Sequence, residues 1–336
     1  MNLKKISQYL ISLALAGGLL YFVFKDIDLQ DLGAKFQSAD YTWVFLTALV
    51  QLIAHISRGY RWKLLIEPSG YNPSTYRTTL AVLIGYLINL VLPRAGELAR
   101  CGSLAKMEQV PFEKSFGAVV AERLMDVVIL ALLIVLNLLL EFDRIQGFFW
   151  QLAGEKFRSP GLVMGVGVGG VGLLVVGYII VRRFGQSWLA NPFLAKVWAW
   201  LLGLWDGFSG IFRMKRPGAF FLHTVIIWVM YYLMTYFLCQ ALPETKHLSY
   251  LAVLTILVMG TIGMAAPTVG GIGSYHFLVG QIVVLYGLSQ SDGIALATFL
   301  HTMIGLALVV IFGGLGFILA SFAPSRNTAV DQKTVG

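Results

Sequence analysis

Asn89-Leu90-Val91-Leu92-Pro93-Arg94-Ala95-Gly96-Glu97-Leu98-Ala99-Arg100 begins as the end of an apolar helix and finishes as a charged one. Pro93 removes a backbone donor and Gly96 permits a sharp turn, so the helix breaks between them. The break falls within residues 75–106, a hydrophobic region too interrupted to cross a bilayer as one helix. Arg94, Glu97 and Arg100 follow at three-residue spacing and are predicted to share one face of the helix that restarts there. Ionisable groups at membrane depth are costly and usually mark a pathway or a substrate site. A second interrupted region, residues 249–288, breaks at Pro267 through Gly273.

The rest of the chain explains why such breaks matter. Of 336 residues, 57% are hydrophobic and 12% charged, against about 25% charged in soluble domains. Mean hydropathy is +0.76. Spans are predicted near residues 7–24, 43–66, 116–140, 161–181, 217–241 and 293–322. With the two broken hairpins, the expected fold is an all-α polytopic membrane protein of about eight transmembrane helices. The first span reads as a retained helix, because its apolar run continues to Phe24, past a signal-peptidase-like Ala14-Leu15-Ala16. Residues 1–322 form one membrane domain, and 323–336 read as a disordered cytoplasmic tail. Segment 183–216, rich in tryptophan and basic residues, reads as a helix lying in the membrane interface or as an anchored loop.

Six basic residues, Lys25, Lys35, Arg144, Lys156, Arg158 and Lys246, fall on one side of this topology, and the other 19 of the 25 fall on the side of the N-terminus. That bias places both termini in the cytoplasm, in a membrane of the bacterial inner type. If 75–106 dips in and returns, residues 7–140 and 161–322 repeat the order helix, helix, hairpin, helix with opposite orientation. Broken segments at matching positions of inverted halves point to a binding site near the bilayer midplane. The alternative for 249–288 is two ordinary spans joined by a tight turn.

The candidate site therefore gathers around the two breaks. Two guanidiniums suit a phosphate, with Glu97 orienting them or meeting an ammonium group. Asn89 stands just before the break. Arg58 and Arg61 lie three residues apart in the inner half of helix 43–66, with His55 three residues earlier, and either snorkel to headgroups or widen the basic lining. Glu122, Arg123 and Asp126 open helix 116–140, where the two carboxylates are one turn apart and pair with arginines or carry a cation or proton. Gly270, Gly271 and Gly273 offer backbone amides for an anion, and His276 offers a titratable ring. His301 carries less weight.

No cofactor or metal is expected. Cys101 and Cys239 have neither CxxC nor metal-ligand spacing. Gly167 through Gly172 matches GxGxxG by letter but lies inside an apolar span, where small residues serve helix packing. Walker A, HExxH and GxSxG motifs are missing, so transport would be passive or ion-coupled. The net charge of +8 reflects membrane topology, and nucleic acid is not an expected partner.

Taken together, Arg58 to Trp62, Asn89 with Pro93-Arg94-Ala95-Gly96-Glu97 and Arg100, Glu122-Arg123 with Asp126, and Pro267 with Gly270-Gly271-Ile272-Gly273 resemble the flippase-like domain family. That family is related to the transmembrane region of lysylphosphatidylglycerol synthase and to UPF0104 membrane proteins, and the resemblance covers roughly residues 6–322. It implies movement of a phosphate-bearing lipid between leaflets: an aminoacylated phospholipid, a polyprenyl phosphate or a glycolipid. It also implies a glycosyltransferase or lipid synthase as partner. The family's glycine turn usually leads to a glutamate, where this chain has His276. No segment resembles the cytosolic synthase domain, so the chain is expected to move a lipid rather than make it. The competing expectations are a membrane-embedded lipid-modifying enzyme using Glu97, Glu122 or His276, and a non-catalytic partner of a synthase.

Overall fold

Large apolar side chains are exposed along the long helices, while several charged and polar ones are buried among the apolar residues of the interior. The computed structural model describes residues 21, 29–92, 94–153, 214–266 and 268–326. Apart from Tyr21, the expected spans 7–24 and 161–181 lie outside these residues, as do the interfacial segment up to residue 213 and the tail from 327. The regular elements are α1 (Leu29–Gln37), α2 (Tyr41–Ile66), α3 (Thr75–Val91), α4 (Gly96–Glu108), α5 (Phe112–Ala153), α6 (Pro217–Ala241), α7 (Tyr250–Ala265), α8 (Ser274–Ile282), α9 (Gln290–Leu300) and α10 (Leu308–Ser321). A π-helical segment, His301–Ala307, joins α9 to α10. Short 3₁₀ turns cover Glu67–Ser69, Pro243–Thr245, Val269–Gly271 and Val283–Tyr286.

On α5, Val127, Leu132, Val135, Leu139 and Leu140 are exposed while Glu122, Asn137 and Glu141 are buried. On α10, Ile311, Leu315, Phe317 and Ile318 are exposed. In lipid this arrangement is favourable, because the hydrocarbon takes the apolar face and the interior satisfies the polar groups.

Three stretches are long and apolar enough to cross a membrane: Phe112–Gln146, Pro217–Ala241 and Gln290–Ser321. A fourth is the pair Gln30–Gln37 and Tyr41–Ser69, bent by 77°. The described residues thus give three or four spans, at the places where 43–66, 116–140, 217–241 and 293–322 are expected, and each interrupted region folds as short helices. α3 has 17 residues and α4 13, about 26 and 20 Å by helical rise, against a hydrocarbon layer of about 30 Å. α7 has 16 and α8 nine.

Local chemistry sets the ends of these elements. Asp40 caps α2 by accepting from the Thr42 amide at 3.0 Å, and Ser74 caps α3 by accepting from the Arg77 amide at 3.3 Å. α3 stops at Leu92, which is extended at φ −127°, as a residue before proline prefers. No span is predicted over residues 25–42, yet α1 forms within them. Its Phe36 ring packs edge-on to Phe299 at 5.1 Å, and Lys35 pairs with Asp31 at 2.8 Å and Asp292 at 2.7 Å.

Helix packing is cross-paired. α2 lies against α6, α3 against α10, and α5 against α7, while α3 packs on α4 and α7 on α8. The first hairpin closes through two glycines. A Cβ on Gly96 would stand 2.1 Å from the Gly85 carbonyl oxygen and 2.6 Å from the Asn89 side chain. Gly96→Ala must therefore pry α3 from α4. An expected cost of roughly 1–3 kcal/mol would appear as a lowered unfolding midpoint in detergent, and Gly102→Ala, with open space at its Cβ, is the matched control.

Candidate functional site

Three helices deliver the charged residues to one place. Arg58 and Arg61 project from α2, Arg100 from α4, and Glu122, Arg123 and Asp126 from the start of α5. Arg58, Arg61, Arg100 and Glu122 are each no more than 4% exposed. The alternative that Arg58 and Arg61 snorkel to headgroups is corrected by this burial: both turn inward because two carboxylates wait there.

Glu122 is the hub. Its Oε1 accepts from Arg58 Nη2 at 2.9 Å and lies 3.2 Å from Arg61 Nη2, while its Oε2 lies 3.2 Å from Arg100 Nη1. Asp126 accepts from Arg61 Nη2 at 2.7 Å and is 3.4 Å from Arg58 Nη2. Arg58 also donates through Nη1 to the Tyr231 hydroxyl oxygen at 2.6 Å and to that of Tyr86. Arg61 Nη1 donates to Thr224 Oγ1 at 3.3 Å. Glu122 and Asp126 thus serve as counter-charges for arginines, the pairing alternative of the sequence reading rather than a cation site.

The charged stretch after Pro93 is split differently than its spacing predicts. α4 starts at Gly96, so Arg94 lies in the preceding turn, exposed and at φ +67°, and does not share a helix face with Glu97 and Arg100. Glu97 pairs with Arg123, Nε to Oε1 at 2.9 Å, and Arg123 reaches Asp126 at 3.5 Å. Arg100 stands over the Trp62 indole, 4.9 Å from the ring centroid, a cation–π position. Asn89 caps the turn by accepting from the Gly96 amide at 2.7 Å.

Beside this network lies a small cavity of about 20 Å³, bordered by Tyr86, Asn89, Gly96, Glu97, Arg100 and Arg123. It has room for about one water. Arg100 is the buried charge at its wall, and its Nε and Nη2 have no hydrogen-bond partner. The described residues 268–276 line no part of this cavity.

The second hairpin carries the other expected group. Gly270, Gly271 and Gly273 have φ of +59°, +75° and +83°, so the turn needs glycine. Ser274 Oγ donates to the Gly263 carbonyl at 2.7 Å, fixing the turn to α7. His276 is buried, with its ring 5.0 Å from that of His301. His301 Nε2 lies 3.1 Å from the Gly270 carbonyl oxygen.

Sequence reading missed the residues that complete the arginine network: Tyr86, Trp62, Thr224 and Tyr231 sit in apolar or mixed helices with no spacing that marks them. It also missed a chain at the far end of α5. Asn137 donates to Thr255 at 2.8 Å, the Thr255 and Tyr286 hydroxyls share a hydrogen bond of 2.7 Å, and Glu141 accepts from Tyr286 at 3.1 Å and from Arg144 at 3.3 Å. Glu141 marks a kink in α5, at φ −125° and ψ 21°. An acid at the end of a long apolar run is the only clue to this chain that the sequence holds.

Comparison with known proteins places this architecture. A curated relative, a UPF0104 membrane protein of Methanocaldococcus jannaschii, is 33% identical over 90 residues, which cover 26% of this chain and 27% of that protein. The match thus spans about a quarter of that relative's length. No solved structure matches the chain. The family model described as the lysylphosphatidylglycerol synthase transmembrane region matches residues 9–323. The outward apolar belt, the buried charges and this match together make the chain an integral membrane protein that belongs to the lysylphosphatidylglycerol synthase transmembrane region family.

Proposed function

We propose that the protein moves a lipid with a phosphate-bearing headgroup between leaflets and that the headgroup binds at Arg100 and Arg123. One observation carries this reading. Arg58, Arg61, Arg100 and Arg123 stand against Glu97, Glu122 and Asp126, an excess of one positive charge in a largely buried network. Burying an uncompensated charge is expensive, and a phosphodiester supplies one negative charge with oxygens that suit a guanidinium fork. Arg100 has two buried nitrogens without a hydrogen-bond partner among the described residues, and it lines the small cavity.

The cross-pairing of α2 with α6, α3 with α10 and α5 with α7 supports two inverted halves, with the short helices α3–α4 and α7–α8 as re-entrant hairpins. On α5, Glu122 and Glu141 are 19 residues apart, about 28 Å of rise, close to the hydrocarbon thickness of about 30 Å. In this topology they mark the two faces of the membrane, with the arginine network on the cytoplasmic side and both termini in the cytoplasm of an inner-type membrane. A glycosyltransferase or lipid synthase is the expected partner. The competing enzymatic reading is weaker, because Glu122 and Glu97 are each ion-paired with guanidiniums, which hold a carboxylate in its charged form.

The test is reconstitution. Protein in liposomes carrying a fluorescent phosphatidylglycerol or polyprenyl phosphate in both leaflets is expected to expose the inner pool to a membrane-impermeant quencher within minutes. Exchange no faster than in protein-free liposomes across both lipid classes would falsify the reading, and a chemically altered lipid in mass spectrometry would favour the enzyme.

A further inference from the structure

The two hairpins differ in how they can carry charge. Around the first, charge is fixed by four arginines. Around the second, α7, the turn 268–273, α8, the π segment and α10 contain no Asp, Glu, Lys or Arg at any described position. Among the described residues of these elements, only His276 and His301 can acquire a positive charge.

These two rings are placed to share it. They come from separate elements, α8 and the start of the π segment, and stand 5.0 Å apart at 66°. The Gly270 carbonyl beside His301 can only accept, so His301 Nε2 carries a hydrogen there, and Nδ1 of the neutral ring is left to take a proton. His301 is partly exposed, while His276 is buried. Two imidazolium rings at this separation repel, so the pair takes up one proton and resists a second.

A link runs from this pair to the arginine network. In the π segment, the Ile304 carbonyl accepts from Gln51 Nε2 of α2 at 3.3 Å, and Gln51 also lies 3.5 Å from His55 Nε2. Arg58 follows on the same helix, two turns from Gln51. π segments inside helices often sit at functional sites. Among the described residues, the titratable and charged groups beside the pair or on elements near it are Tyr275, at 5.2 Å from the His301 ring, Cys239 of α6, Tyr286 after α8, His55 and Arg58 of α2, and Asp292 at the far end of α9, about 14 Å away by helical rise. α10 contributes none, and α7 only Tyr250 at its start.

We propose that His276 and His301 form a single-proton site and that its occupancy gates lipid movement past the arginine network. The proton comes from water, binds a ring-nitrogen lone pair, and returns to water. No covalent bond between heavy atoms changes and no electron is transferred. The gating clause rests on the lipid-moving reading, whereas the proton site does not.

Two measurements separate them. The first uses full-length protein with ¹⁵N-labelled histidine in nanodiscs, where five histidines report their ring protonation directly. Wild type is expected to show His276 and His301 changing together as the pH is lowered, with one proton between them. In His301→Gln, the midpoint of His276 should move by about one pH unit or more. Independent titration curves, or two rings that stay neutral as the pH is lowered, overturn the proton site, and the wild-type spectra decide this even when the variant does not fold. The second follows quenching of fluorescent phosphatidylglycerol in liposomes against pH. Wild type is expected to change rate about tenfold across the midpoint found by resonance, and His276→Gln/His301→Gln to lose that dependence. A double variant that keeps the wild-type pH profile overturns the gating. Absence of exchange at every pH overturns the gating together with the lipid-moving reading, and leaves the resonance result to decide the proton site.

Discussion

Glu122→Ala is expected to be the most damaging single substitution in the described residues, costing on the order of 3–5 kcal/mol through the stranding of buried charge. Its side chain is fully buried and its two oxygens meet Arg58, Arg61 and Arg100 at 2.9, 3.2 and 3.2 Å. Without it, Arg58 and Arg61 retain Asp126, but Arg100 retains only the Trp62 ring. A guanidinium with no counter-charge in a water-poor interior must either draw water inward or pull its helix away, and α4 is the helix Arg100 would pull. The measurement is the thermal unfolding midpoint in a mild detergent, expected to fall by roughly 10 °C. Glu122→Gln keeps the shape but loses the charge, so it should fall nearly as far. Removing the exposed pair makes the contrast. Arg123 and Glu97 are 45% and 37% exposed, so Arg123→Ala should cost only about 0–1 kcal/mol. Equal midpoints for Glu122→Ala and wild type would mean that the arginines are neutralised from elsewhere.

That network is half legible in the sequence. Charged residues inside apolar helices are conspicuous, so Arg58, Arg61, Arg100, Glu122, Arg123 and Asp126 stand out one by one. Which of them meet depends on where α2, α4 and α5 cross, and spacing along a chain carries no information about crossings. Spacing even misleads locally: it puts Arg94 on a helix face with Glu97 and Arg100, although the helix does not begin until Gly96. Hydroxyl partners leave no trace, because Tyr86 and Tyr231 look in sequence like ordinary aromatic residues of a membrane helix. The broken regions are legible because proline and glycine act on their own backbone. α1 is not, since its stability comes from Phe299 and Asp292, more than 250 positions away.

Arg100→Lys is expected to slow lipid exchange by roughly 10- to 100-fold while leaving the fold intact, because it keeps the charge and removes the planar fork. The distinction matters since Arg100 has two duties. One nitrogen, Nη1, pairs with Glu122 at 3.2 Å, and an ammonium can take over that pairing. Nε and Nη2 have no hydrogen-bond partner among the described residues, and in a lipid-moving protein they wait for phosphate oxygens. A lysine has three N–H donors but on a single nitrogen, so it cannot reach the carboxylate and the phosphate from separate atoms of a planar fork. Stability and transport should therefore come apart: an unfolding midpoint within a few degrees of wild type, with a loss of exchange that higher probe concentration restores only partly. Arg123→Lys, on the exposed side of the same cavity, should lose less, because water already solvates its head. If Arg100→Lys folds and exchanges lipid at the wild-type rate, the unpartnered nitrogens have no part in transport, and the phosphate must be held elsewhere.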